Sequence, residues 1–244
     1  DVEDIDYVVD TVRLLAQELP ASVPLLAFAG APFTVGSYLI EGRPSKDYRY
    51  TKSMMHGDPS LFHDVMDRLA TSAITFIDAQ LSAGARAFQL FDSWAGSLSL
   101  ADYERFVLPH SLRVFAELRT RHPEAPCVHF GIGCDHLLSA MYDAMPTIGP
   151  RIIGLDWRTT ITDARRRLGS GLVVQGNLDP ALVLAGTQAA LAGTDQVLLD
   201  NVADDGTRHP GHIFNLGHGV HQHSDPDVLQ AVVDRVHSCT TDAR

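Results

Sequence analysis

The chain has 244 residues, 45% of them hydrophobic and 20% charged, which is enough to bury the core of one large domain. Its formal net charge of −11 argues against nucleic-acid binding, which needs a basic face to neutralise phosphates. We find neither a run of roughly 18 apolar residues nor a cleavable leader, so we expect a cytoplasmic protein without a membrane span, built as a single domain over 1–244.

The first third of the chain alternates helical faces with one short apolar run. Residues 1–19 carry apolar side chains at steps of three and four, which predicts an amphipathic helix. The run 23–29, closed by glycine and proline, predicts a buried strand. Asp58 and Pro59 then predict the N-cap and first turn of a long helix.

The same order of strand, polar turn and helix repeats along the rest of the chain. The further predicted strands lie at 85–91, 127–130, 151–155, 171–175 and 213–216. They lack clean polar alternation, which is typical of parallel strands covered on both faces. A doubly wound sheet could be built from such units, but small or polar residues follow every strand, as at the mouth of a (β/α)₈ barrel.

The sequence therefore predicts an α/β fold, a TIM-type (β/α)₈ barrel with about six of its eight strand–helix units present. The two missing units are expected before Asp1. A start without methionine, inside a helical pattern, agrees with that expectation.

Three polar residues near strand ends are candidates for ligand binding. His218 stands between Gly217 and Gly219, which allow a sharp turn and the close approach of a ligand, although a simple turn histidine is the alternative. The phenol of Tyr38 could donate to a carboxylate, or its ring could only pack. Ser93 could contact a ligand or cap the next helix.

Acidic residues also follow the predicted strands. Asp92 and Asp156 could act as acids or bases, whereas Asp179 precedes Pro180 and is expected to cap a helix. The basic run 165–167 is expected to be a solvated helix face. No G-x-S-x-G nucleophile elbow is present, which argues against hydrolase chemistry.

We expect no metal site. Histidines crowd the end of the chain without an acidic or cysteine partner at a ligand spacing: His209, His212, His218, His221 and His223. The cysteines are odd in number, form no CxxC pattern and are expected to be reduced thiols: Cys127, Cys134 and Cys239.

Blocks of sequence along the whole chain, in order and with fitting spacing, resemble the uroporphyrinogen decarboxylase family. The blocks are 28–34 with Tyr38 and Glu41-Gly42, then 89–96, 154–157, 175–180 and 215–219. The resemblance implies a (β/α)₈ barrel, usually a homodimer, that needs no metal or organic cofactor. It also implies removal of carbon dioxide from the acetate side chains of uroporphyrinogen III, giving coproporphyrinogen III in haem biosynthesis.

Matched to the family's motifs, Tyr38, Ser93 and His218 are implied to bind substrate, and Phe91 to line the cleft. The family's arginine-rich segment after its first strand and aspartate after its second are absent here, so the catalytic residues are unknown. The chain is expected to be roughly the C-terminal two thirds of the enzyme, and to be inactive and poorly stable alone because a barrel lacking two strands has unpaired edges.

Two alternatives remain open. One is a zinc-dependent corrinoid methyltransferase, which shares this barrel but needs a closer histidine–cysteine pair than His129 and Cys134 provide. The other is a non-catalytic binding protein on the same barrel.

Overall fold

The computed structural model of the chain describes residues 5–203 and 205–241. Its strands form one six-stranded sheet in which neighbours in sequence are neighbours in space, in the order β1-β2-β3-β4-β5-β6. The strands are β1 (Leu26–Gly30), β2 (Ala87–Phe91), β3 (Cys127–Phe130), β4 (Arg151–Gly154), β5 (Val173–Leu178) and β6 (His212–Leu216). The parallel sheet with helical connections confirms the predicted fold class.

Helices precede the first strand and follow every strand. They are α1 (Asp6–Glu18), α2 (Pro32–Glu41), α3 (Arg49–Gly57), α4 (Pro59–Ser82), α5 (Leu100–Asp102), α6 (Leu108–Arg121), α7 (Leu138–Asp143), α8 (Ile161–Leu168), α9 (Pro180–Leu184), α10 (Thr187–Asp200) and α11 (Pro226–Thr241). The start of the first predicted helix, residues 1–4, lies outside the described residues. No helix in the described part of the chain is long and apolar enough to cross a membrane.

The chain divides into two compact units, Asp1–Ile152 and Ile153–Arg244. In the first unit, β1, β2 and β3 pair in parallel, and the buried face of α4 packs on β1 and β2. Asp58 caps α4 by accepting from the backbone N–H of Leu61 at 3.1 Å, as predicted. The helical segment 100–121 is interrupted by a π turn at Tyr103–Val107, between α5 and α6.

That interruption has a local cause. Pro109 lies in the first turn of α6 and has no backbone N–H, so the regular hydrogen-bond ladder cannot continue through it. The helix begins again with Leu108, where proline is tolerated.

In the second unit, β5 pairs with β6, and a core forms between these strands, α9, α10 and α11. Its buried members are Leu178, Val183, Ala190, Val228 and Val232. Asp179 caps α9 by accepting from the backbone N–H of Ala181 at 2.9 Å, which confirms its predicted role. Helix α10 was not predicted because its apolar residues are mixed with small and polar ones and define no strong face.

The prediction of a solvated face at 165–167 is wrong for Arg165. Its residue is 4% exposed, and its guanidinium donates to the Leu172 carbonyl at 2.5 Å and to Asn201 Oδ1 at 2.9 Å. Arg166 faces solvent and pairs with Asp163. Consecutive helical residues point about 100° apart, so one arginine of the run is directed at the sheet while the next is not.

Candidate substrate site at the strand ends

In the first unit, Tyr38 and Trp94 form an aromatic pair at the C-terminal end of β2. Tyr38 lies in the last turns of α2 and is half exposed, and its ring centroid is 3.8 Å from that of Trp94. Within the described residues, the Tyr38 hydroxyl makes no hydrogen bond, so it can donate to a ligand. Burial raises the pKa of the nearby Tyr48, with additions from Tyr38 and Glu41, so this second phenol stays protonated.

A buried threonine ties α2 to the turn that carries Trp94. Thr34 Oγ1 donates to Asp92 Oδ1 at 3.2 Å and accepts from the backbone N–H of Trp94 at 3.4 Å. Asp92 is fully buried, so it supports this turn from behind rather than facing solvent. The aromatic pair is therefore held by polar contacts that the sequence did not reveal.

The second carboxylate oxygen of Asp92 faces a buried histidine. Nε2 of His129 lies 3.8 Å from Asp92 Oδ2, and neither atom has a hydrogen-bond partner within the described residues. The other ring nitrogen, Nδ1, lies 2.9 Å from the Met141 carbonyl and must carry a proton to donate to it. Sequence reasoning considered His129 only as a zinc ligand; its place inside an apolar strand is the signal that was missed.

Ser93 and Phe91 flank Asp92 on the strand end. Ser93 is partly buried, makes no hydrogen bond within the described residues, and does not cap the short 3₁₀ helix that follows. Phe91 contacts Phe28 and Phe130 edge to face, with ring centroids 5.9 and 5.8 Å apart. The first unit therefore combines a hydroxyl and a phenol with a row of apolar rings.

In the second unit, His218 follows β6 and is exposed. Its ring lies 6.5 Å from that of Trp157, and it makes no hydrogen bond within the described residues. A Cβ on Gly217 would lie 2.6 Å from the backbone nitrogen of Trp157, so this glycine is required for the close packing of the two turns. A Cβ on Gly219 would meet nothing within 4 Å.

The turn after β4 contains an arginine that sequence reasoning missed. Arg158 donates through Nη1 to Asp156 Oδ2 at 2.6 Å, and through its backbone N–H to Asp156 Oδ1 at 2.9 Å. Its guanidinium carbon lies 4.0 Å above the Trp157 ring. Asn177 holds the same turn by donating to the carbonyls of Asp156 and Thr159 at 3.0 and 2.6 Å.

Neither unit shows a ready metal centre. Within the described part of the chain, no group of three or more histidine, cysteine, aspartate or glutamate side chains could hold an ion. A cleft of about 640 Å³ in the first unit is lined mainly by apolar residues, among them Phe28, Val35 and Phe76, and contains none of the predicted substrate residues. The exposed or partly buried side chains of Tyr38, Ser93, His218 and Arg158 can each donate a hydrogen bond, which suits an anionic ligand.

Comparison with known proteins identifies related chains. The family model for uroporphyrinogen decarboxylase (URO-D) matches residues 1–239. The uroporphyrinogen decarboxylase of Rhodococcus opacus is 49% identical over 236 residues, which cover 97% of this chain and 64% of that protein. The uroporphyrinogen decarboxylase of Salinispora tropica is 50% identical over 238 residues, covering 98% of this chain and 61% of that protein.

The chain thus spans about 61 to 64% of the length of these relatives. Among solved structures, a methyltransferase from Methanosarcina mazei superposes with a TM-score of 0.79 at 15% identity, covering 97% of this chain and 65% of that one. At this identity the likeness concerns the fold alone.

Proposed function

Because the chain belongs to the uroporphyrinogen decarboxylase family, we propose that the protein acts as a carboxy-lyase on uroporphyrinogen III and converts its acetate side chains to methyl groups. The family match along nearly the whole chain carries the proposal. The strand ends support it, because Tyr38, Ser93 and His218 offer polar groups without a hydrogen-bond partner in the described residues.

The roles follow from the chemistry of each group. Tyr38, Ser93 and His218 donate hydrogen bonds to carboxylates or to the polar edge of the macrocycle. The Phe91 ring provides an apolar surface for the macrocycle. None of these side chains is assigned the proton transfers, because the family's arginine and aspartate motifs do not occur in this chain.

The reaction can proceed without an added electron sink. Protonation of a pyrrole carbon makes the ring cationic, and the electrons of the breaking carbon–carbon bond flow into it as carbon dioxide leaves. The exocyclic methylene then takes a proton and becomes a methyl group, and the ring loses the proton that it first gained. The protein has to orient the macrocycle and stabilise the changing charge.

We further propose that residues 1–244 form part of one (β/α)₈ barrel domain, and that the protein is a cytoplasmic homodimer. The strand order places β1 and β6 at the ends of the sheet, where Phe28 and Ile213 are 56% and 44% exposed. Further strand–helix units at such edges would pair the edge backbone groups and help to cover these apolar side chains. Sedimentation of the protein at two concentrations tests the dimer.

The test is anaerobic incubation of the complete reading frame that contains this chain with uroporphyrinogen III. We expect loss of carbon dioxide and accumulation of coproporphyrinogen III. His218→Asn should lower kcat/KM about 10- to 100-fold, the loss of one hydrogen bond to a charged group. His221→Asn is the matched control, an exposed histidine of the same loop, and should stay within about twofold of the parent.

Unchanged substrate after prolonged incubation with folded protein would contradict the decarboxylase. Stoichiometric zinc together with methyl transfer to a thiol would instead establish the methyltransferase alternative. Equal losses of kcat/KM in the His218 and His221 variants would show that His218 does not bind substrate. The decarboxylase activity of the parent would not be contradicted.

A further inference from the structure

We propose that Arg158 is a substrate-binding residue of this chain, a fixed guanidinium that receives a carboxylate of the ligand beside His218. The inference rests on the proposed function and adds a residue that the resemblance did not supply. It is carried by the second unit alone, where Arg158, Trp157 and His218 are neighbours at the C-terminal ends of β4 and β6.

Two contacts hold the Arg158 side chain in place. One amino nitrogen donates to the buried carboxylate of Asp156, whose side chain is 3% exposed, and the guanidinium carbon lies 4.0 Å over the Trp157 ring. A cation stacked on an indole and bridged to a carboxylate loses little further freedom when it binds a ligand. The guanidinium is therefore oriented before any ligand arrives.

The same group keeps donors available. The Arg158 side chain is 49% exposed, and apart from the bond to Asp156 its N–H donors have no partner within the described residues. Guanidinium presents its donors as a planar fork that matches a carboxylate. Asp156 occupies one side of that fork, and the other side is open to solvent.

Arg158 and His218 both lie near the Trp157 ring: the guanidinium carbon is 4.0 Å from the ring centroid, and the His218 ring centroid is 6.5 Å from it. The backbone of the Gly217 turn packs directly on that of Asp156 and Trp157. We therefore expect a ligand bound beside Trp157 to reach both side chains. In a chain with a net charge of −11, a guanidinium with open donors is a favourable contact for a polycarboxylate.

The experiment compares Arg158→Gln, Arg158→Lys and Arg166→Gln in the complete protein. Arg166 lies in the same unit, is exposed and pairs with Asp163, so its variant is a matched loss of one positive charge away from the strand ends. We expect Arg158→Gln to raise KM for uroporphyrinogen III by about tenfold or more while kcat stays within about threefold. Arg158→Lys should fall between, because lysine keeps the charge but not the fork.

A purely structural role gives a different pattern. If Arg158 only neutralises Asp156, its loss lowers the thermal midpoint and the active fraction, and KM remains within about twofold of the parent. That result would overturn the inference without touching the decarboxylase. An unchanged KM for Arg166→Gln is required for the effect to be specific.

Direct binding separates this inference from the proposed function. Quenching of the fluorescence of uroporphyrin III, the oxidised porphyrin with the same carboxylates, measures affinity without turnover. One outcome is that neither the parent nor any variant decarboxylates, but Arg158→Gln binds the porphyrin at least about tenfold more weakly than the parent. In that case the carboxylate-binding role of Arg158 stands and the proposed reaction fails. If the parent neither binds nor converts the tetrapyrrole, both fail.

Discussion

At the N-terminal ends of its strands the molecule surrounds buried guanidinium groups with backbone carbonyls, whereas at the C-terminal ends several polar side chains have no such partners. Arg119, in the last turn of α6, is 8% exposed and donates to the Pro123 and Pro150 carbonyls at 2.6 and 2.9 Å. These carbonyls precede β3 and β4. One side chain thus connects the segments that lead into two strands.

The second unit repeats this device with Arg165. Its guanidinium donates to the carbonyls of Leu172 and Pro210, which precede β5 and β6, and to the side chain of Asn201. Burial lowers the pKa of Arg165, yet an arginine so placed keeps its charge because its pKa starts far above neutrality. Carbonyl acceptors rather than carboxylates compensate the charge.

The other end of the strands is organised differently. Asp92 Oδ2 and His129 Nε2 are buried without hydrogen-bond partners in the described residues, and Tyr38 and His218 direct polar groups towards solvent. Hydrogen-bond partners for these groups would make the folded protein more stable. Asp92 and His129 are fully buried, whereas Tyr38 and His218 are exposed and can meet a ligand. We therefore expect stabilising contacts to prevail at the N-terminal ends of the strands and ligand contacts at the C-terminal ends.

The largest expected effect tests the stabilising end. Arg165→Met removes the donors to the Leu172 and Pro210 carbonyls and to Asn201, leaving buried acceptors unsatisfied. We expect the free energy of unfolding to fall by about 3 to 5 kcal/mol, measured by urea titration. Arg166→Met, on the exposed side of the same helix, should change it by less than about 0.5 kcal/mol.

Below the unfolding temperature, the Arg165→Met protein that remains folded should bind the tetrapyrrole with the affinity of the parent. If Arg165→Met changes KM strongly and stability little, Arg165 contributes to binding. That result would contradict the assignment of stability to the N-terminal ends of the strands and binding to the C-terminal ends.

The strands and the turns that follow them could be predicted from the sequence, because apolar runs ended by glycine, aspartate and proline are local signals. The direction in which each side chain points could not be predicted. Which arginine of the run 165–167 faces the sheet depends on where α8 begins, and the partner of His129 depends on a contact between two strands. Arg158 was missed because its role comes from Trp157 and Asp156 in three dimensions.

The next effect tests whether the buried pair of Asp92 and His129 lowers the stability of the folded protein. In Asp92→Asn the amide oxygen can still accept from Thr34, and the amide nitrogen can donate to His129 Nε2. We expect Asp92→Asn to unfold within about 1 kcal/mol of the parent or to be more stable, and Asp92→Ala to lose about 1 to 3 kcal/mol. Urea titration of both variants measures the difference.

A loss as large in Asp92→Asn as in Asp92→Ala would show that a carboxylate is required opposite His129. The two atoms would then be bridged by a proton, and this buried pair would no longer be unsatisfied. Chemical shifts of the His129 ring nitrogens report its protonation state directly and decide between the two arrangements.

The smallest effect concerns a histidine in the first turn of α6, at the helix end opposite Arg119. His110 Nδ1 lies 2.9 Å from Asp67 Oδ1, and its Nε2 lies 2.8 Å from Nδ1 of His63; Arg113 also faces Asp67. Burial lowers the pKa of His110 from its ordinary value of 6.5, and Asp67 opposes that shift in part. The neutral ring is therefore favoured in the folded protein.

The sign of the pH dependence follows from that lowered pKa. As the pH falls below about 6.5, the unfolded chain takes up a proton at His110 that the folded protein resists, so stability is lost until the pH reaches the folded pKa. We expect His110→Gln to flatten this part of the curve by less than about 1 kcal/mol between pH 7 and pH 5, measured by urea titration at each pH. A slope that steepens in His110→Gln would mean that the folded protein favours the charged ring at the start of α6.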